Sequence, residues 1–93
     1  MSGPAPMPPE VKPVIDRFPT HADLILRLAA QSEGFRAICE DYALAVETLH
    51  RFEALGREHA GAKAQVESKI ADYRGIVLDL AQEIERLLAE GRI

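Results

Sequence analysis

Val66, Ile70, Tyr73, Val77, Leu80, Ile84 and Leu87 recur in a strict four-three alternation over three heptads. An apolar residue every three and a half positions is the seam of a coiled coil. It obliges the segment to form a helix lying along another helix. Ile76, Leu78, Ala81 and Leu88 add apolar surface beside the seam, and Lys63 extends it by one polar position. Gly75 lies at the position furthest from the seam, where it costs about 1 kcal/mol relative to alanine. The pattern predicts a helix over about residues 62–90.

The partner helix is readable upstream. All six prolines fall within residues 1–19, so the 74 residues that follow carry no helix breaker of that kind. Large apolar residues recur at Leu24, Leu28, Ile38, Tyr42, Leu49 and Phe52, with Phe35 and Ala45 completing the helical spacing and Gln31 as its polar gap. Ile25, Cys39 and Val46 widen this stripe, as suits a helix with more than one neighbour. Thr20-x-x-Asp23 reads as a helix start: threonine accepts from an orphan amide, and the acid suits the positive helix end. Phe18, before Pro19, and Leu24 resemble a hydrophobic staple. A first helix is therefore expected over about 21–55.

Within that span, Ser32-Glu33-Gly34 raises two alternatives. The helix runs through at glycine's cost, or Ser32 caps a new helix with Glu33 in its first turn. In the second case residues 21–31 become a short arm. The two glycines of Gly56-Arg57-Glu58-His59-Ala60-Gly61-Ala62 mark the joint between the long helices. Two striped helices of about 45 Å with a short joint imply an all-α, antiparallel, coiled-coil-like hairpin. Residues 1–19 hold few large apolar side chains and are read as a disordered proline-rich tail.

Two helices alone leave one side of each stripe uncovered, so self-association is expected, a dimer first, with a monomeric hairpin as the alternative. Phe35, Tyr42 and Leu49 of the first helix, and Tyr73, Val77, Leu80, Ile84 and Leu87 of the second, are the expected packing positions. Ile76, Leu78 and Leu88 are expected to make contacts outside the intramolecular seam.

Charge narrows the partners. The formal net charge is −4, and no segment is basic: residues 20–61 hold seven acids against four bases, and 62–93 six against five. Phosphate recognition needs clustered lysine and arginine, so neither nucleic acid nor an anionic membrane surface is an expected partner. No apolar run approaches the roughly 18–20 residues that span a bilayer. The N-terminus lacks the basic and apolar regions of a secretory signal, and a cytoplasmic location is expected.

Candidate chemistry is sparse. His21, His50, His59 and Cys39 are the soft metal-ligand candidates, but no H-x3-H or C-x2-C spacing links them. No metal site or cofactor is expected. One cysteine excludes an intramolecular disulfide. Glu40 and Asp41 beside Cys39 oppose a thiolate, so buried packing suits it better than nucleophilic work. Glu40-Asp41 and Glu83 with Glu85 read as solvated faces rather than acid–base pairs, for which a hairpin offers little concavity. Glu47 with Arg51, and Glu53 with Arg57, sit four apart with the acid first, which supports a helix. Tyr42 and Tyr73 fall on the seams and read as core. The glycines of the joint precede no lysine-serine pair, which excludes a Walker-type phosphate loop.

With the stripes placed, the chain resembles the small bacterial YdcH-like proteins (domain of unknown function 465). Phe18-Pro19-x-His21-x-Asp23-Leu24-Ile25-x-Arg27-Leu28 is similar to that family's opening F-P-E-H-x-D-L-I-x-x-L. Phe35, then Tyr42, then Leu49-His50-Arg51-Phe52-Glu53 is similar to the run along its first long helix. Leu78-x-Leu80-x-x-Glu83-Ile84 and Leu87-Leu88 resemble its C-terminal L-x-L-K-D-E-I…L pattern. The likeness covers residues 17–90. Arg74-Gly75-Ile76-Val77 replaces the family's basic run, Ala81-Gln82 its Lys-Asp, and Thr20 its glutamate. The resemblance implies a short helical hairpin that self-associates, and it carries no activity. It also favours a break before Phe35, where related chains carry Asp-Pro.

The functional expectation is thus a non-enzymatic helical protein that self-associates and engages a larger protein partner. The alternative is a small regulatory or accessory subunit that responds to a ligand or metal.

Overall fold

A computed structural model describes residues 8–59, 61 and 63–91. The described residues form four α-helices: α1 (Lys12–Arg17), α2 (Ala22–Gln31), α3 (Glu33–Glu58) and α4 (Lys63–Glu90). A 3₁₀ turn, Pro19–His21, joins α1 to α2. The long helices α3 and α4 are 26 and 28 residues, about 39 and 42 Å at 1.5 Å per residue. They pack along each other as a helical hairpin, and α1 and α2 both lie against α3.

Ser32 creates this arrangement. Its backbone is extended at φ −131° and ψ 117°, so the helix stops after Gln31 and restarts at Glu33. The Phe35 amide donates to Ser32 Oγ at 3.1 Å, satisfying one of the unpaired donors of the new helix. The Ser32 amide in turn donates to the Leu28 carbonyl at 2.9 Å, closing α2. One residue thus terminates one helix and caps the next. Of the two readings of Ser32–Gly34, the structure takes the break.

The N-terminal segment departs from the expected disordered tail. Residues 1–7 of that expectation lie outside the described residues, but residues 12–17 are helical, and Val11 and Val14 are fully buried. The Val11 amide donates to the Pro8 carbonyl at 3.1 Å, a turn that leads into α1. The prolines do not oppose it: Pro13 stands at the start of α1 and Pro19 at the start of the 3₁₀ turn. A helix's first amides have no intrahelical acceptor, so proline loses nothing there. Thr20 likewise does not cap α2. It lies inside the 3₁₀ turn with its Oγ1 3.2 Å from His21 Nδ1, and α2 begins without a side-chain cap.

The core sits at one end of the hairpin. Val11 and Val14 of the N-terminal segment meet Ile25, Leu28 and Ala29 of α2, Phe35, Cys39 and Tyr42 of α3, and Ala81, Ile84 and Leu88 of α4. Phe18 and Leu24, the expected staple pair, both pack against this cluster while staying half-buried. Towards the α3–α4 joint the hairpin is two helices thick. From Val46 to Leu80 no described residue is buried. Gly56 belongs to α3 rather than to the joint. A Cβ there would meet Val66 Cγ1 at 3.3 Å, so the missing side chain is what lets α4 approach at the tip.

Two substitutions test this architecture by chemical denaturation. Ser32→Ala is expected to cost about 1 kcal/mol, with Ser32→Asp retaining most of it, because only the side-chain acceptor is at stake. Val14→Ala is expected to cost about 2 kcal/mol, since the side chain is fully buried. A change of only a few tenths for Val14→Ala would mean that α1 does not dock in solution.

Candidate functional site

Helices α3 and α4 form an open groove of about 520 Å³ between them. Leu44, Ala45 and Thr48 of α3 and Tyr73, Ile76 and Leu80 of α4 make its apolar floor. Asp41 and Asp79 stand at its edge. Leu44 is 63% exposed and Ile76 43%. Leu78, on another side of α4, is 51% exposed. The groove exists because the helices meet through half-buried seam residues, leaving the flanking apolar positions unpartnered. Phe52 and Tyr73 meet across the seam at the tip-ward end of the groove, with ring centroids 5.7 Å apart and planes tilted by 39°. Arg74 reaches Glu53 across the helices at 3.4 Å. Glu53 was expected to serve the intrahelical pair with Arg57, and it spans the hairpin instead. Glu47 and Arg51 stand 3.6 Å apart, as their spacing predicted.

The expected packing residues separate into three groups. Phe35, Tyr42, Ile84 and Leu88 are buried inside the monomer. Leu49, Tyr73, Val77, Leu80 and Leu87 are half-buried along the seam. Ile76 and Leu78 are exposed. Leu88 was expected outside the intramolecular seam and is corrected here: it belongs to the closed-end core, which α1 and α2 complete. Leu44 was missed. An apolar residue off the main stripe of its helix was the only signal available.

A second groove, of about 600 Å³, runs between α1 and α3, with Tyr42, Lys12, Asp16, Arg17 and His50 on its walls. Part of its polar lining is already paired. Lys12 Nζ donates to Asp16 at 3.0 Å. Burial pushes the Tyr42 phenol above its ordinary value, against the opposing charge of Arg17, so it stays protonated at neutral pH.

The other chemical candidates are scattered. His21, His50 and His59 are all exposed, on the 3₁₀ turn, α3 and the end of α3. Among the described residues no group of three or more His, Cys, Asp or Glu side chains is placed to hold a metal ion. Glu83 is clasped by Arg86, which also donates to Glu90 at 2.8 Å. The Arg86 hydrogen bonds hold the Glu83 carboxyl below its usual range, so it is ionised rather than a proton donor at neutral pH. Among the described residues no helix is long and apolar enough to cross a membrane.

Cys39 is free and fully buried. Burial first, then the charges of Glu10 and Glu40, push its thiol from 9.0 up to about 11. Glu40 was foreseen from the sequence, whereas Glu10 arrives only because the N-terminal segment folds back. The chain matches no family model, no curated protein and no solved structure.

The thiol supplies a direct test. At pH 8 a thiol raised to about 11 has a thiolate fraction about a hundredfold below that of the unfolded chain. Labelling by a disulfide reagent should therefore be slow in buffer and fast in denaturant. Because the folded value is the higher one, the contribution to stability is complete below pH 9 and is lost as pH rises towards about 11. Fast stoichiometric labelling of the native protein would contradict the docked N-terminal segment.

Proposed function

We propose that this chain is a non-enzymatic helical interaction protein that acts by self-association, a member of the YdcH-like group by its sequence pattern. One observation carries the reading: the part of the hairpin beyond the closed-end core contains no buried residue among those described, yet Leu44 and Ile76 sit exposed on a shared groove. Exposed apolar side chains placed together on one surface suit contact with another polypeptide. Burial holds the Cys39 thiol protonated at neutral pH, which takes away the one thiolate nucleophile the sequence offers and supports the same reading.

A cytoplasmic setting and a larger protein partner complete the proposal. The absence of a basic patch supports a protein rather than a nucleic acid as that partner.

The test is native mass by light scattering, paired with thermal melting across protein concentration. Self-association predicts a midpoint that rises with concentration. Ile76→Glu should lower the mass towards the monomer while leaving helicity intact, since Ile76 lies outside the closed-end core. A midpoint that ignores concentration but shifts with an added ion or metabolite would favour a ligand-responsive accessory subunit instead.

A further inference from the structure

Ser32 is the only residue between α2 and α3, and the helical pattern runs straight across it. From Leu24 to Phe52 the stripe keeps one unbroken four-three alternation, with Gln31 as its polar member. Nothing in the backbone obliges the chain to bend at this point. The junction holds no proline, and neither Ser32 nor Gly34 has a positive φ. The bend is held by the Ser32 side-chain bond and by the core that α2 joins.

The two helices are also most of the way to being one. The Ser32 amide already donates to the Leu28 carbonyl, and the Arg36 amide to the Ser32 carbonyl. Both bonds run four residues back, as in an unbroken helix. A continuous helix would add bonds from the amides of Glu33, Gly34 and Phe35 to the carbonyls of Ala29, Ala30 and Gln31. It would give up one, from the Phe35 amide to Ser32 Oγ. The change lies chiefly in one torsion, the Ser32 ψ, from 117° to about −42°. Within a single chain the straightened form is costly. Leu87, near the end of α4, lines one cavity with Ser32 and Phe35, so the extended helix would carry Ile25 and Leu28 past the end of α4.

We infer that Ser32 is a hinge through which two copies of this chain exchange arms. The arm is residues 8–31, with α1, the 3₁₀ turn and α2. In the exchanged form the 10 residues of α2, Ser32 and the 26 of α3 make one helix of about 55 Å. The arm of each copy takes the place on the other's α3 and α4 that its own arm occupies in the closed chain. Val11, Val14, Ile25 and Leu28 then meet Phe35, Cys39 and Ile84 of the second chain, so the core forms twice with the same contacts. The occupant is a second copy because only this sequence carries the arm that the vacated surface fits. Dilution favours the closed chain, which keeps the Ser32 cap and needs no partner. The exchange bears on the same self-association but does not use the groove, since Leu44 and Ile76 lie outside the exchanged core.

The test uses full-length chains carrying Ile76→Glu, which removes contact through the groove. Either Ser32→Ala or Glu33→Pro is added to this parent. Each chain is refolded from denaturant at millimolar concentration, and its mass is followed by light scattering on dilution. Ser32→Ala removes the cap of the bent form alone, so the dimer dissociation constant should fall about thirtyfold over the two chains. Glu33→Pro suits the bent form. Proline is tolerated at the first position of α3, and it holds the residue before it extended, as Ser32 already is. Inside a continuous helix the same proline removes a bond and clashes with the preceding turn. That chain should be monomeric throughout, with undiminished helicity by circular dichroism. A parent that stays monomeric at millimolar concentration overturns arm exchange, as does a dimer that Glu33→Pro leaves in place or Ser32→Ala fails to tighten. Should Glu33→Pro lose helicity, Ser32→Ala decides alone. Failure of the groove reading shows separately, as a natural chain whose mass Ile76→Glu does not lower.

Discussion

The structure depends on the reversal at Ser32. A continuous helix from residue 22 to residue 58 would carry Ile25 and Leu28 far beyond the end of α4, where nothing could cover them. The extended backbone of Ser32 and its bond to the Phe35 amide turn α2 back onto the hairpin. That return brings Ile25 and Leu28 onto Phe35, Cys39 and Ile84, and it makes a surface on which the N-terminal segment docks. Three layers of helix then enclose a core that two helices could not.

Much of this was legible in the sequence because it depends on periodicity. The seam from Val66 to Leu87 defined α4, and the wider stripe around Ile38 and Tyr42 called for extra neighbours on α3. Those neighbours are α2 and α1. What stayed illegible was the role of residues 8–19. Their prolines signal disorder by composition, yet Pro13 and Pro19 occupy helix starts, where a missing amide costs nothing. Val11 and Val14 are too few to reveal a stripe in so short a helix. Their burial is decided by the surface they meet, which forms only after Ser32 has turned the chain.

The groove was half legible for a related reason. Ile76 and Leu78 stood out as apolar residues beside a regular seam. Leu44 did not, because the stripe of α3 is broad and one further leucine blends into it.

The uneven burial along the hairpin also sets how the molecule opens. Around the core, separating α3 from α4 means exposing Phe35, Cys39 and Ile84 together with their partners from α1 and α2, so amides there exchange only through global unfolding. Near Gly56 the helices are joined by half-buried contacts and the Arg74–Glu53 ion pair, and their ends can part without disturbing the core. The chain therefore contains two cooperative units of different stability in one helical pair. Hydrogen exchange will run from the tip inward, stopping where Ala45 and Ala81 begin the enclosed layer.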